Sequence, residues 1–125
     1  MGAGRITIMN IHLKRAAAIV GAVMLSAAVA QAAGVLAAKN GMTLYIYDKD
    51  KGAVPSCYGL CAAFWPPYMA KAGEKAKAHW SMVKRSHGKL QWAYNGHPLY
   101  FYASDKKKGD MKGDGFDGIW HIIKR

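Results

Sequence analysis

The stretch Asn40-Gly-Met-Thr-Leu-Tyr-Ile-Tyr-Asp-Lys-Asp50 decides the fold, because a matching stretch follows 55 residues later. That second stretch reads Asn95-Gly-His-Pro-Leu-Tyr-Phe-Tyr-Ala-Ser-Asp105, and its Asn, Gly, Leu, Tyr, Tyr and Asp fall in register with the first. Similar segments at a fixed spacing are the signature of repeated structural units. The sequence therefore predicts two copies of one unit.

The repeat extends beyond these two stretches. Trp65 and Trp120 are separated by the same 55 residues, so the match continues without a gap. We place copy one at about residues 34–70 and copy two at about residues 89–125. All 14 Trp, Tyr and Phe residues follow residue 40. Because such side chains bury much apolar area, a single core is plausible even in a short chain.

Each copy begins with a β-hairpin signal. Asn-Gly between apolar stretches favours a two-residue turn with positive φ, which matches the twist of paired strands. Side chains alternate between the faces of a strand, so such a turn fixes which residues share a face. In copy one Lys39 is expected opposite Met42 beside the turn. We expect one face to be the core, formed by the pairs Val35–Ile46, Ala37–Leu44, Leu90–Phe101 and Trp92–Leu99.

The opposite face is rich in tyrosine. Its predicted members are Leu36, Thr43, Tyr45, Tyr47, Gln91, Pro98, Tyr100 and Tyr102. A buried tyrosine hydroxyl needs a hydrogen-bond partner, so this composition suits either a half-wet surface or a layer that supplies hydrogen-bond acceptors. We take the repeated tyrosines and the aspartates that end each motif as a candidate binding face: Tyr45, Tyr47, Asp50, Tyr100, Tyr102 and Asp105.

The two aspartates of that face allow two roles. Asp50 and Asp105 occupy matched positions, where a carboxylate can accept backbone N–H bonds and cap the turn. We favour this capping role. The alternative is a carboxylate held by a tyrosine hydroxyl in a paired site.

The remaining segments predict short strands joined by turns. Pro66-Pro67 argues against an internal strand, because proline lacks the N–H that a ladder needs. The fold class is therefore mainly β: two tandem hairpin repeats in one small pseudo-symmetric domain. The further predicted features are a helical turn at Cys61–Phe64, a linker or short helix at 71–78, a hairpin from Trp80–Arg85 into Lys89 onward, and a closing strand at Gly118–Lys124.

The N-terminus has the pattern of a secretory signal peptide. Lys14 and Arg15 precede the apolar run Ala16–Ala30, and Ala30-Gln31-Ala32 supplies a small-x-small cleavage site. We expect residues 1–32 to be the leader and residues 33–125 the mature domain, in the periplasm or secreted. An uncleaved membrane anchor is the alternative, although the apolar run is shorter than the ~20 residues of a spanning helix.

The chain is strongly basic. Its formal charge is +11, and removal of a leader containing Arg5, Lys14 and Arg15 leaves +8. A basic surface suits an anionic envelope component or an acidic periplasmic protein, although solvated lysines are the commoner explanation. The export signal argues against a nucleic-acid partner. Cleavage would leave no stable membrane anchor.

Cys57 and Cys61 are the only cysteines. In an exported chain they are expected to form a disulfide. The alternative is a copper- or redox-handling pair, because soft sulfur ligands suit Cu(I). The candidate helpers for such a site are Met69, His97 and His121, and nothing in the spacing selects a third ligand.

No catalytic or metal motif is recognisable in the sequence. There is no nucleophile elbow, H-E-x-x-H helix, P-loop or dinucleotide fingerprint. Asp110–Asp117 superficially resembles a calcium loop, but the third and twelfth positions hold Lys112 and His121 instead of oxygen ligands. A Gly/Asp turn is the favoured interpretation, and we predict no catalytic residues, no metal and no cofactor.

The doubled motif resembles that of a known family. Tyr45-Ile-Tyr47-Asp-Lys-Asp50 and Tyr100-Phe-Tyr102-Ala-Ser-Asp105 are similar to the Yx(FWY)xxD motif of the secreted-repeat family of predicted bacterial lipoproteins. Further segments that resemble the family are Gly41-Met-Thr-Leu-Tyr45, Cys57-Tyr-Gly-Leu-Cys61, Trp65-Pro-Pro67, Tyr94-Asn-Gly-His-Pro-Leu-Tyr100, Gly113-Asp-Gly115 and Gly118-Ile-Trp120. The resemblance implies export and tandem repeats, and it brings no established activity.

This chain departs from the lipoprotein pattern, since no cysteine precedes Cys57 to carry a lipid after the leader. We therefore expect a non-enzymatic periplasmic binding module, or an envelope-associated one, without a lipid anchor. The alternative is copper or redox handling by Cys57 and Cys61.

Overall fold

A computed structural model describes residues 34–125, so the predicted leader lies outside the described residues. The domain is mainly β, as predicted, with its strands in two antiparallel sheets. No helix within residues 34–125 is long and apolar enough to cross a membrane. The elements are β1 (Tyr45–Tyr47), α1 (Leu60–Phe64), β2 (Trp80–Lys84), β3 (Leu90–Tyr94), β4 (His97–Pro98), a 3-10 turn (Phe116–Gly118) and β5 (Trp120–Ile122).

The hairpin of copy two has the predicted register. Asn95 and Gly96 both have positive φ, at 49° and 81°, as a two-residue turn between twisted strands requires. The Leu99 amide donates to the Trp92 carbonyl at 2.9 Å, so these two residues lie opposite each other.

The hairpin of copy one is one residue longer in its turn. The Ala38 amide donates to the Met42 carbonyl at 2.9 Å, and the intervening turn ends at Gly41 with φ +84°. The register therefore differs from the prediction by one residue. Ala37 pairs with Thr43 instead of Leu44, and Met42 lies opposite Ala38 instead of Lys39, which is exposed in the turn. The Asn-Gly signal alone cannot distinguish the two turn lengths.

The two copies exchange their closing segments. In copy one, the segment after Trp65 pairs with copy two: the Tyr68 amide donates to the Leu99 carbonyl at 2.9 Å, and the Trp92 amide donates to the Tyr68 carbonyl at 2.8 Å. In copy two, β5 pairs antiparallel with β1 of copy one. Each hairpin is thus completed by a segment from the other copy.

Pro66 and Pro67 fit this arrangement without an internal strand, as predicted. Pro67 makes only an isolated bridge with Tyr100, and Pro66 uses its carbonyl to accept the Phe101 amide at 2.7 Å. Neither contact needs the N–H that proline lacks.

Tyr45 and Tyr100 mark the local twofold relation between the copies. The Tyr45 amide donates to the Tyr100 carbonyl at 2.8 Å, and the Tyr100 amide donates to the Tyr45 carbonyl at 3.0 Å. These residues occupy the same position in the two motifs. The two copies therefore contact each other through the backbones of these equivalent tyrosines.

The two faces of the hairpins form separate hydrophobic clusters. The aliphatic face forms a cluster of Leu36, Ala38, Leu44, Trp92 and Leu99. The tyrosine face forms a second cluster of Tyr45, Cys57, Trp65, Tyr100 and Trp120. Both environments considered for the tyrosine face are present, because Tyr45 and Tyr100 are buried beside acceptors whereas Tyr47 and Tyr102 are half-buried.

The connecting segments follow the prediction in outline. The helical turn near Cys61 is α1, and β2 and β3 form the hairpin that leads into copy two. The linker at 71–78 contains turns and no helix, and all its residues except Glu74 are exposed.

Candidate functional site

The motif residues form two crossed tyrosine–aspartate pairs. The Tyr45 hydroxyl of copy one donates to the Asp105 carboxylate of copy two at 2.6 Å. The Tyr100 hydroxyl of copy two donates to the Asp50 carboxylate of copy one at 3.0 Å. Each motif therefore supplies a tyrosine to the other copy's aspartate and an aspartate to the other copy's tyrosine.

The aspartates also cap their own turns, so both roles considered from the sequence are present. Asp50 accepts the Ser56 amide at 2.8 Å and the Ser56 hydroxyl at 2.9 Å. Asp105 accepts the Lys112 amide at 3.0 Å. A carboxylate has room for several donors, so one side chain can hold its own loop and the other copy's tyrosine.

Burial sets the protonation of these pairs. Desolvation is the main cause that raises the pKa of Tyr45 and of Tyr100, and the neighbouring aspartates add to it. Both hydroxyls therefore remain protonated donors. Burial also raises the pKa of Asp50, although the bonds from Ser56 and Tyr100 and the positive charge of Arg85 oppose that shift.

A stack of four rings, drawn alternately from the two copies, lies beside the pairs. Trp65 and Trp120 lie face to face, with centroids 3.9 Å apart and planes 3° apart. Tyr102 stacks on Trp65 at 4.2 Å, and Tyr47 stacks on Trp120 at 4.1 Å. The order is Tyr102, Trp65, Trp120, Tyr47. The tryptophans that matched in the sequence are thus in direct contact.

The loop that superficially resembles a calcium site has a packing role. The Gly113 amide donates to the Tyr45 hydroxyl at 3.2 Å. A Cβ at Gly113 would lie 2.6 Å from the Trp65 ring, so only glycine allows this approach. Within residues 34–125, no group of three or more His, Cys, Asp or Glu side chains could hold a metal ion.

Cys57 and Cys61 form the expected disulfide across the start of α1. Cys57 is fully buried in the aromatic cluster. The three candidate copper helpers have other contacts or lie at the surface. The His121 ring forms a hydrogen bond with Asp48 at 2.7 Å, Met69 forms an isolated β-bridge with Gln91, and His97 is exposed in β4.

A buried arginine completes this region, and sequence reasoning did not identify it. Arg85 is 5% exposed and donates to the Gln91 side chain at 2.8 Å and to the Cys57 carbonyl at 2.6 Å. Its guanidinium lies 4.1 Å from the centre of the Tyr58 ring. Gln91 in turn donates to the Leu99 carbonyl at 2.8 Å. A buried cation requires such partners, and the network ties β3 to the disulfide loop.

The candidate binding face contributes only part of its residues to the surface. Tyr45 and Tyr100 are fully buried, whereas Tyr47 and Tyr102 are half-buried. Those two line an aromatic groove of about 500 Å³ at the ends of the ring stack. The groove also exposes three large apolar side chains, namely Leu60, Phe64 and Phe116.

A second cavity, which we call the lysine-rimmed pocket, has a volume of about 360 Å³. Its aromatic side chains are buried or half-buried and its lysines are exposed, so rings form the floor and cations form the rim. The floor consists of Tyr68, Trp80 and Trp92, and the rim of Lys39, Lys75 and Lys77, with Ala37 and Ala38 between them.

One acidic side chain acts on this rim. Glu74 forms an ion pair with Lys39 and accepts the Lys71 amide at 2.7 Å. The bond to Glu74 raises the pKa of Lys39, and the bond from Lys39 lowers the pKa of Glu74. Both groups therefore stay charged, whereas Lys75 and Lys77 form no ion pair with any residue in 34–125.

Sequence reasoning missed this pocket because its parts come from both copies and from the linker between them. The available signal was the break in the repeat. Two features lie between the repeated stretches and have no matching residues in copy one, namely Lys75-Ala-Lys-Ala78 and Trp80.

Comparison with known proteins identifies the family. A family model described as a secreted repeat of unknown function matches residues 27–69 and 81–124. The chain therefore belongs to this secreted-repeat family, as the doubled motif predicted. No curated protein matched the chain, and no solved structure matched it.

Proposed function

We propose that this protein is an exported, non-enzymatic module that binds an anionic component of the bacterial envelope through the lysine-rimmed pocket. The observation that carries the proposal is the pocket itself, in which Lys39, Lys75 and Lys77 surround a floor of three aromatic side chains. A concave site with apolar walls and a few charged groups is the usual form of a ligand site.

Charge explains the choice of partner. The mature domain carries +8, so its long-range field attracts polyanions and repels cations. Exposed lysines act at short range in salt, since the screening length is about 8 Å at physiological ionic strength. Binding through the rim should therefore weaken as salt rises.

The aromatic groove is a poorer site for the same partner. Among residues 34–125, Asp117 is the one charged residue that lines it, and no lysine or arginine does. Two of its rings, Trp65 and Trp120, have faces engaged in the stack. An anion would meet repulsion there instead of attraction.

The copper- or redox-handling alternative has less support. Cu(I) binding by this pair needs free thiolates. The two sulfurs are bonded to each other, and the Cys57 sulfur is buried. The disulfide therefore argues against Cu(I) binding by Cys57 and Cys61.

Charge-matched double variants test the proposal. Lys75→Gln/Lys77→Gln removes two charges from the rim, whereas Lys51→Gln/Lys107→Gln removes two exposed charges elsewhere. The measurement is retention of the purified protein on bacterial envelope preparations at low and high salt. We expect salt-sensitive retention that the rim variant loses and the control keeps.

Equal loss in both variants would indicate non-specific charge attraction and would contradict a site. Absence of any retention of the unmodified protein at low salt would contradict the proposed partner class.

A further inference from the structure

We infer that the lysine-rimmed pocket recognises a sugar ring that carries a carboxylate or phosphate group. The inference rests on the proposed function, because it names the chemical class of the anionic component. Its steps are the arrangement of the floor rings, the charges of the rim and the size of the cavity.

The floor rings form a corner instead of a flat platform. Trp80 and Trp92 have centroids 5.8 Å apart and planes 86° apart, and Tyr68 meets Trp80 at 81°. A flat aromatic ligand would stack on one ring and miss the other. A puckered sugar ring has C–H groups on several sides, and these partly positive hydrogens are attracted to the negative faces of aromatic rings.

The rim supplies attraction for one acidic group. Lys75 and Lys77 line the pocket beside the pair formed by Lys39 and Glu74. Since Glu74 already neutralises Lys39, the two other lysines are the main anchors for an anion. Glu74 also repels that anion, so its removal should strengthen binding.

The volume limits the size of the occupant. About 360 Å³ lies at the lower end of the range of roughly 300–1,000 Å³ for small-molecule sites. This space suits one or two sugar rings, such as the end or a short stretch of an acidic glycan.

Four tryptophans provide a direct test with an internal control. Trp80 and Trp92 line the lysine-rimmed pocket, whereas Trp65 and Trp120 lie in the ring stack. In 15N–1H spectra of the mature protein, the four indole signals are followed as probes are added. The probes are glucuronic acid and glucose 6-phosphate, with glucose, inorganic phosphate and phosphatidylglycerol vesicles as comparisons.

We expect both acidic sugars to move the signals of Trp80 and Trp92 and to leave those of Trp65 and Trp120 in place. Glucose and inorganic phosphate alone should have much weaker effects. Lys75→Gln/Lys77→Gln should weaken acidic-sugar binding about tenfold, as the loss of two exposed charge contacts implies. Glu74→Gln keeps an acceptor for the Lys71 amide, and it should tighten binding about two- to threefold.

The contrary outcomes are distinct. If inorganic phosphate moves the Trp80 and Trp92 signals as strongly as the acidic sugars do, the pocket is a general anion site. If glucose moves them as strongly, the lysines do not contribute to recognition. Retention on phosphatidylglycerol vesicles without movement of the Trp80 and Trp92 signals would favour a lipid partner. Each result overturns the assignment of a sugar that carries an acidic group.

The proposed function is tested separately by the envelope retention measurement. If rim-dependent retention persists while no sugar probe moves the Trp80 and Trp92 signals, the sugar assignment fails and the proposed function stands. If retention on the envelope preparations also fails to depend on the rim lysines, the sugar assignment and the proposed function both fail.

Discussion

The ring stack and the lysine-rimmed pocket differ in how they use the duplication. In the stack, each contact has a counterpart of nearly equal length: Tyr47 lies 4.1 Å from Trp120, and Tyr102 lies 4.2 Å from Trp65. The edge-on contacts from Tyr45 and Tyr100 to these tryptophans also match, at 5.4 and 5.3 Å. The duplication is complete here, and every copied side chain is used for packing.

The lysine-rimmed pocket lies where the duplication fails. Trp92 lines it, and the matching hairpin position in copy one holds Leu36. Trp80 belongs to β2, which precedes copy two, and Lys75 and Lys77 belong to the linker. The comparison teaches that the repeated parts build the scaffold, while unrepeated parts create the candidate binding site. A function placed on a fold in this way resides in local side chains.

Removal of a stacked tryptophan should have the largest effect on stability. Trp120→Ala takes away a ring that contacts Trp65 and Tyr47, and we expect a loss of about 3–5 kcal/mol in unfolding free energy. Urea unfolding measures the loss. Phe116→Ala is the control, because Phe116 lines the same region and is 42% exposed. Similar costs for both variants would contradict a structural role for the stack.

Loss of a motif hydroxyl should have an intermediate effect that differs between the copies. Tyr45→Phe leaves the Gly113 amide without its partner and the buried Asp105 with only the Lys112 bond, and we expect a cost of about 2 kcal/mol. Tyr100→Phe should cost about 1 kcal/mol, because Asp50 keeps both bonds from Ser56. Denaturant unfolding of the two variants compares them directly. A larger cost for Tyr100→Phe would reverse this ranking.

The smallest expected effect is the contribution of Asp50 to the pH dependence of the unfolding free energy. Burial raises the pKa of Asp50 in the folded protein above its ordinary value of 3.8, so protonation of Asp50 favours the folded state. This stabilising contribution is complete below 3.8 and is lost as the pH rises through the folded-state pKa.

Asp50→Asn removes that titration. The unfolding free energy of the unmodified protein should therefore rise relative to that of the variant as the pH falls from neutral to about 3. The backbone bonds from Lys106 and Lys107 lower the pKa of Asp110, which acts in the opposite direction but is common to both proteins. A difference that stays constant with pH would show that burial of Asp50 has no such effect.

Local signals predicted much of the fold. The Asn-Gly turns located both hairpins, and export with two cysteines predicted the disulfide correctly. The crossed bonds between motif tyrosines and aspartates correspond to the less favoured of the two roles considered for Asp50 and Asp105. The repeat revealed that these residues were equivalent, but equivalence does not say whether partners come from the same copy.

The exchange of closing segments could not be predicted, because either copy's hairpin offers the same pattern to a closing strand. The choice between a half-wet tyrosine face and a buried layer with acceptors stayed open because the covering segment was unknown. Arg85 was overlooked because the Cys57 carbonyl that it binds lies 28 residues away, on another segment. The extra residue before Gly41 also shifted the register of copy one.

The exchange itself is tested most directly by native-state hydrogen exchange. The Tyr45 and Tyr100 amides bond each other's residues at the centre of the molecule, and each hairpin is completed by the other copy. Their opening free energies should therefore equal each other and the free energy of global unfolding, while the exposed linker amides at 71–78 exchange rapidly. If the amides of one copy instead exchange through a separate opening of lower free energy, the copies are independent units and the interleaved scaffold is wrong.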